Sequence, residues 1–397
     1  MNNRNGYTSK DRRTDILNLQ SKLPRVGTTI FTTMSALAAK HDALNLSQGF
    51  PDFDAPRALR ESLAKQVMDG HNQYAPMAGV LALREQITLQ LGQYRGIHCD
   101  PDTEVTVVPG ATEGIFCATA ACISPGDEVI VFDPCYDSYE PAITLAGGVT
   151  VHIPLSQGSF SIDWARVKSA ITARSRMIII NSPHNPSGST LSLEDLLELE
   201  RLAEKHNLLV ISDEVYEHLV YDGKQHISVL QLPGLRARSF AIFSFGKTYS
   251  VTGWKTGYCI APPALTAELR KVHQFVTFVA VTPIQLALAD FMEKEPDYPG
   301  TLATFYQNKR DLFCRALENS RFMIAPSAGT YFQLLDYRAI STEPDVTLSR
   351  DWTCQYRLAS IPISVFYEDG PRQTFLRFCF AKNDNVLLKA AEILCKL

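Results

Sequence analysis

Seven short apolar runs rich in β-branched residues recur between residues 104 and 262. They are EVTVV (104–108), EVIVF (128–132), VTVHI (149–153), RMIII (176–180), LLVIS (208–212), FAIFS (240–244) and YCIAP (258–262). Runs that are apolar at nearly every position suit strands buried on both faces. Stretches of helical length separate many of them, such as 112–123 and SLEDLLELERLAEKH (192–206). In the latter the leucines fall at helical spacing, and Ser192 with Asp195 makes a capping start. Strands alternating with helices in this way predict an α/β architecture, a mostly parallel sheet covered by helices on both faces.

Past residue 300 the pattern changes. A helix over roughly 301–319 leads into RFMIAPSAGTYFQLLDY, then IPISVFYE and FLRFCFAK, then a last helix. This reads as a smaller α+β domain, with the segment before residue 45 packed against it. A chain of 397 residues exceeds one simple core, which agrees with two domains. The expected division is an N-terminal mobile arm (1–26), a small domain (27–48 with 300–397) and a large domain (49–299).

Several function classes are disfavoured early. A formal net charge of −4 argues against a nucleic-acid or anionic-membrane surface. The nine cysteines are scattered with no CxxC, and the nine histidines form no HxxxH or HExxH. No disulfide framework and no metal site are expected, and reduced thiols in a cytoplasmic protein fit better. The longest apolar runs, such as IFCATAACI (115–123), are too short to span a bilayer. The polar start, MNNRNGYTSKDRRTDILNLQSK, lacks the apolar core of a signal peptide.

In open α/β sheets ligands bind beyond the carboxyl ends of the strands. Five of these ends carry PGATEG, DPCYDSY, NSPHNPSG, DEVYEH and FGKTY. Taken singly, each has an ordinary structural explanation. Gly110-Ala111-Thr112 is a helix start, Tyr136 a packed ring, Asn185-Pro186 a turn, Asp213 a cap and Lys247 a surface amine. Taken together they suit one ligand: a flat heterocycle with a protonated ring nitrogen, a phosphate and an aldehyde. The phosphate would take the free N–H groups at 110–112, with Ser244 and Lys255. Tyr136 would stack on the ring, Asp213 would hold the ring nitrogen's proton, and Asn185 and Tyr216 would bond its phenolic oxygen. Lys247 would bond covalently to the aldehyde. That ligand is pyridoxal 5′-phosphate. It also explains why SFGKTYSVTGWKTGY (244–258) holds two lysines with no carboxylate of its own.

The three motifs NSPHNPSG, ISDEVY and SFGKTYSVTGWKTGY, in this order, resemble the class I/II aminotransferases of fold type I, and the likeness extends over most of the chain. SQGFPDF, NQYAPMAG, FDPCYDSYEP, HNPSG and RFCFAK resemble the kynurenine aminotransferase/glutamine transaminase K branch, with the nearest likeness to the bacterial methionine aminotransferases. The match is poorest around 350–360. The resemblance implies a seven-stranded, three-layer α/β/α large domain and ping-pong transfer of an amino group to a 2-oxo acid. It makes Lys247 the cofactor-linked lysine and base, Asp213 the partner of the ring nitrogen, and Arg377, assisted by Asn185, the grip on the substrate α-carboxylate. Gly49 would let the backbone approach that carboxylate. Tyr74 would reach the phosphate site of a neighbouring subunit, implying a homodimer. Phe31, Phe278 and Tyr331 are candidates for the side-chain pocket. The same site supports kynurenine or glutamine transamination and β-elimination from cysteine conjugates. A nicotinamide dehydrogenase is disfavoured, because no GxGxxG follows a strand. An aminotransferase-like regulator would need a winged-helix module, for which the roughly 26 residues before GTTIF are too few.

Overall fold

A computed structural model describes residues 20–369 and 373–397. Most of the expected arm therefore lies outside the described residues. The seven runs form one sheet: β1 Val105–Val108, β2 Glu128–Asp133, β3 Val149–Pro154, β4 Ser175–Asn181, β5 Leu209–Asp213, β6 Ser239–Ser244 and β7 Gly257–Ile260. Their spatial order is β1-β7-β6-β5-β4-β2-β3. Every pairing is parallel except those of β7, which runs antiparallel to both β1 and β6.

The continuous apolar character of the strands follows from burial on two faces. Ile130, Phe132, Ile178, Ile180 and Phe243 point to one core. Their alternating neighbours Val129, Val131, Met177, Ile179 and Ile242 point to another. Helices close both sides. Leu83, Ile87 and Leu91 of the helix Leu81–Arg95, with Leu196, Leu199 and Leu202 of Leu193–Lys205, bury into the first. Ile115 and Ala118 of Ala111–Cys122, with Leu269 of Pro263–Val276, bury into the second. Ser192 caps Leu193–Lys205 as expected: its hydroxyl accepts from Asp195 N, and the Asp195 carboxylate accepts from Ser192 N. Truncating such a leucine to alanine leaves a cavity costing about 2–5 kcal/mol.

A third core gathers Tyr306, Phe313, Phe332, Leu335, Trp352, Phe378 and Leu387. It lies between the helices Tyr298–Ala316 and Asp384–Leu394 and a three-stranded antiparallel sheet. The strands are β8 Phe332–Asp336, β9 Ile361–Pro362 and β10 Phe375–Cys379, in the order β9-β10-β8. The stretch around 350–360 holds the end of the helix Asp345–Tyr356, its cap Arg357 in the left-handed region and the short strand Leu358–Ala359. The segment before residue 45 joins this part of the molecule. Its helix Ile30–Lys40 leads to Leu44–Asn45, which pairs in parallel with Leu358–Ala359. Among the described residues, no helix is long and apolar enough to cross a membrane.

Candidate active site

The carboxyl ends of β1, β4, β5 and β6 open on one cavity of about 230 Å³. Because β7 runs the other way, it begins where its neighbours end. Gly257 pairs with Val108 on one side and with Ser244 on the other. That register brings Lys255, just before β7, to the start of the helix Ala111–Cys122. Gly110 precedes that helix with φ 82°, a conformation glycine adopts without strain, and a Cβ there would meet Lys255 Nζ at 3.3 Å. A lysine amine thus lies against the positive end of a helix dipole, an arrangement that calls for an anion between them.

Among the described residues that line the cavity, Lys247, Lys255 and Arg377 are cations and Asp213 is the only carboxylate. Three positive groups facing one negative one fit a ligand that brings anions with it. Lys247, in the single turn after β6, points its amine to Gly49 O at 3.3 Å. Burial is the main cause that brings its pKa down to about 8, and the nearby Lys255 ammonium works in the same direction. Asp213 ends β5 and is 4 % exposed. Burial pushes its pKa up to about 6 against the hydrogen bonds from Tyr139 and Val215 N.

Arg377 stands on β10 at 1 % exposure. Its Nη1 donates to Asn185 Oδ1 at 2.7 Å and its Nη2 to Ser47 O at 3.1 Å, while Nε is buried without a partner among the described residues. Its guanidinium carbon lies 3.9 Å from the Phe332 ring centre, with Phe31 and Phe366 at 5.3 and 5.7 Å. Burial lowers its pKa to about 10, so it stays charged at neutral pH. Since a guanidinium only donates, the Asn185 amide oxygen faces it and the Asn185 NH2 is left as a donor.

Of the residues expected at a site, Phe31, Gly49, Gly110, Ala111, Thr112, Tyr136, Asn185, Asp213, Tyr216, Ser244, Lys247, Lys255 and Arg377 all line the cavity. Tyr331 sits behind it, fully buried, with its hydroxyl donating to Gly49 O at 2.5 Å and its ring edge-on to Tyr216. The glycine at 49 has a different local cause from the one expected. A Cβ there would lie 2.8 Å from Phe332 Cζ, and that ring is held on Arg377. Phe278 is not brought in: it is 39 % exposed and stacks edge to face at the surface with Tyr74, the residue expected at a neighbouring subunit's site, which is 84 % exposed.

Other groups at the site escaped the sequence reasoning. Asn181, the first residue of NSPHNPSG, donates to Asp213 O and accepts from Asn185 N, both at 2.8 Å, and so ties two strand ends to the Asn185 loop. His184 Nε2 donates to Pro134 O at 2.9 Å and its Nδ1 meets the Ser187 hydroxyl. Burial holds its pKa down to about 4, so this strut is neutral. Phe332 and Tyr139 also belong here. The only signal for Asn181 and Tyr139 is position: Asn181 ends β4, and Tyr139 opens the helix that follows β2.

The donor set fits pyridoxal phosphate on these observations alone. The helix start with Ser244 and Lys255 can take a phosphate, Asp213 a protonated ring nitrogen, and the Asn185 NH2 with the Tyr216 hydroxyl a phenolic oxygen.

Residues 41–394 match the family described as aminotransferase class I and II. The chain is 50% identical over 378 residues to a methionine aminotransferase from Escherichia coli, covering 95% of this chain and 98% of that one. A solved E. coli structure whose description gives it a methionine aminotransferase function superposes with a TM-score of 0.94 at 50% identity, over 96% of this chain and 99% of that one. N-succinyldiaminopimelate aminotransferase from Mycobacterium tuberculosis superposes with a TM-score of 0.92 at 36% identity, over 95% and 99%. A kynurenine–oxoglutarate transaminase from Dictyostelium discoideum is 35% identical over 410 residues, covering 94% of each chain.

Proposed function

The chain belongs to the class I and II aminotransferases, and on that premise we propose that it transfers the α-amino group of methionine, and of other large uncharged or aromatic amino acids, to a 2-oxo acid with pyridoxal 5′-phosphate as cofactor. The observation that carries this reading is Arg377, a desolvated guanidinium with no carboxylate partner among the described residues, opening on the same cavity as Lys247 and Lys255. A buried charge of this kind needs an anion, and the α-carboxylate of an amino acid supplies one.

When bound, the cofactor supplies an electron sink for the charge left on substrate Cα as its proton departs. The remaining work falls to the chain. Gly110, Ala111, Thr112, Ser244 and Lys255 hold the phosphate, Tyr136 walls the ring, and Asp213 holds the proton on the ring nitrogen. Asn185 and Tyr216 hydrogen-bond the phenolic oxygen. Arg377 and Asn185 fix the α-carboxylate, which sets the direction of the Cα–H bond. Lys247 takes that proton and returns it on the other side of the reaction. It does so as the neutral amine, which burial and the nearby Lys255 favour by bringing its pKa in the cofactor-free chain down to about 8.

The side-chain preference is supported by the aromatic walls, Phe31 and Phe332 with Tyr331 behind them. Arg377 is the only arginine among the described residues of the lining. A second substrate carboxylate would be desolvated there without a partner. The E. coli relative's name supports methionine, and the Dictyostelium relative's name supports kynurenine as a further donor. A homodimer is supported by the exposed aromatic pair of Tyr74 and Phe278, 84 % and 39 % exposed and stacked edge to face, with Tyr74 available to a partner's phosphate site. A cytoplasmic location agrees with the nine scattered cysteines.

The test compares kcat/KM for methionine, phenylalanine, glutamine and aspartate with one fixed 2-oxo acid. The profile should be broad, because an apolar slot separates substrates by only about 1–3 kcal/mol per methylene, and aspartate should come last. Aspartate in first place would overturn the substrate assignment.

A further inference from the structure

The Tyr139 hydroxyl donates a 2.7 Å hydrogen bond to Asp213 Oδ2, and no step above uses it. Both groups are buried, Tyr139 at 2 % and Asp213 at 4 % exposure. The other carboxylate oxygen receives only a long bond, 3.3 Å, from Val215 N. One oxygen of the acid is therefore pinned and the other is weakly held. A phenylalanine would fill the same space, so the buried hydroxyl is explained by its bond to the carboxylate rather than by packing.

The backbone around Tyr139 is itself fixed. It opens the helix Tyr139–Leu145, one turn after Tyr136, and the two rings meet edge to face with centroids 5.8 Å apart. The loop before it is held by the His184 bond to Pro134 O and by Cys135 N donating to Phe366 O at 2.9 Å. One short segment thus delivers both the wall of the ring site and the anchor of the acid.

We infer that Tyr139 is a positioning residue for the cofactor: by holding Asp213 Oδ2 it fixes the carboxylate and leaves Oδ1 as the oxygen available to the ring nitrogen. The inference rests on pyridoxal phosphate being the cofactor. The donated bond also favours the anion. Burial drives the Asp213 carboxyl towards neutrality, and the Tyr139 hydroxyl opposes it. A neutral acid, or one free to rotate, would hold a protonated ring nitrogen less well.

The test measures binding to the cofactor-free protein by fluorescence titration, with two ligands. One is pyridoxal phosphate and the other is its 1-deaza analogue, in which a C–H replaces the ring nitrogen. Tyr139→Phe should weaken pyridoxal phosphate by about 10-fold to about 150-fold, the range for a hydrogen bond to a charged group, and leave the analogue within about twofold. In an Asp213→Asn background, adding Tyr139→Phe should change neither ligand's affinity. Equal weakening of both ligands would show that Tyr139 only supports packing, and unchanged binding would show that it does not act through Asp213. Either result overturns the inference and leaves the cofactor reading standing. Wild-type protein that binds neither ligand would overturn that reading and the inference with it.

Discussion

Replacing Arg377 with leucine tests the proposal that this side chain holds the substrate α-carboxylate. The side chain has 1 % exposure, two hydrogen bonds to protein oxygens and a ring against its face at 3.9 Å. It is charged at neutral pH even with its pKa lowered to about 10. Truncating one partner of a buried, hydrogen-bonded charge pair costs about 2–5 kcal/mol. At 1.4 kcal/mol per tenfold, kcat/KM should fall by about 30-fold to about 4000-fold. The factor should be the same for methionine, phenylalanine and glutamine, because all three share the α-carboxylate. Stability should change far less. Leucine leaves Asn185 Oδ1 and Ser47 O without their donor, at about 1–3 kcal/mol each, but it also removes a desolvated charge. Arg377→Lys keeps the charge without the planar fork and should fall between the two. The assay is steady-state kinetics with one fixed 2-oxo acid, with thermal unfolding measured in parallel. A loss confined to some donors would place Arg377 in the side-chain slot. A uniform loss below about tenfold would mean that no desolvated ion pair forms.

Lys247→Ala should abolish transamination while the folded protein still binds the cofactor noncovalently; a borohydride-trapped adduct mapping to Lys255 would reverse the assignment. In the wild type, covalent capture of pyridoxal phosphate by the cofactor-free protein should speed up with pH and level off above about pH 8, where the buried amine is neutral. Asp213→Asn should slow the half-reaction with methionine yet stabilise the cofactor-free protein at pH 7. The native pKa of about 6 lies above the model-compound 3.8, so the stability Asp213 contributes is full below about pH 4 and is lost as pH rises through 6. The variant should lack that decline, worth at most about 3 kcal/mol, as chemical denaturation at pH 4 and pH 7 would show. Ser192→Ala removes only a helix cap and should cost about 1 kcal/mol in stability with unchanged kinetics; altered kinetics would tie that helix to the site.

The inner strands of the large sheet were legible because burial on both faces leaves a largely apolar run, the edge strand β3, exposed at Val149, by its β-branched residues, and each falls within two residues of its expected place. The capping box at Ser192 was legible because it is local in sequence. Asn185, Asp213 and Lys247 could be singled out because each stands where a buried strand ends, which is where α/β sheets open to ligands. Phe278 went differently. It was expected in the side-chain pocket and lies at the surface against Tyr74, because an aromatic residue type does not say which face its loop will turn inward.

By itself the sequence determined the α/β class, the set of groups that could meet a phosphorylated pyridine aldehyde, and the excess of cations that such a ligand would balance. The tertiary structure alone decided how they meet. The antiparallel entry of β7 sets Lys255 beside Gly110, and the β10 register turns Arg377 to Asn185 and Ser47. One turn of helix lays Tyr139 on Asp213. The physical reason is one of range. Periodicity and capping act between residues a few positions apart, whereas these contacts join residues up to 330 positions apart in the chain. Burial then supplies what no residue type carries alone: it brings Lys247 down to about 8 and Asp213 up to about 6.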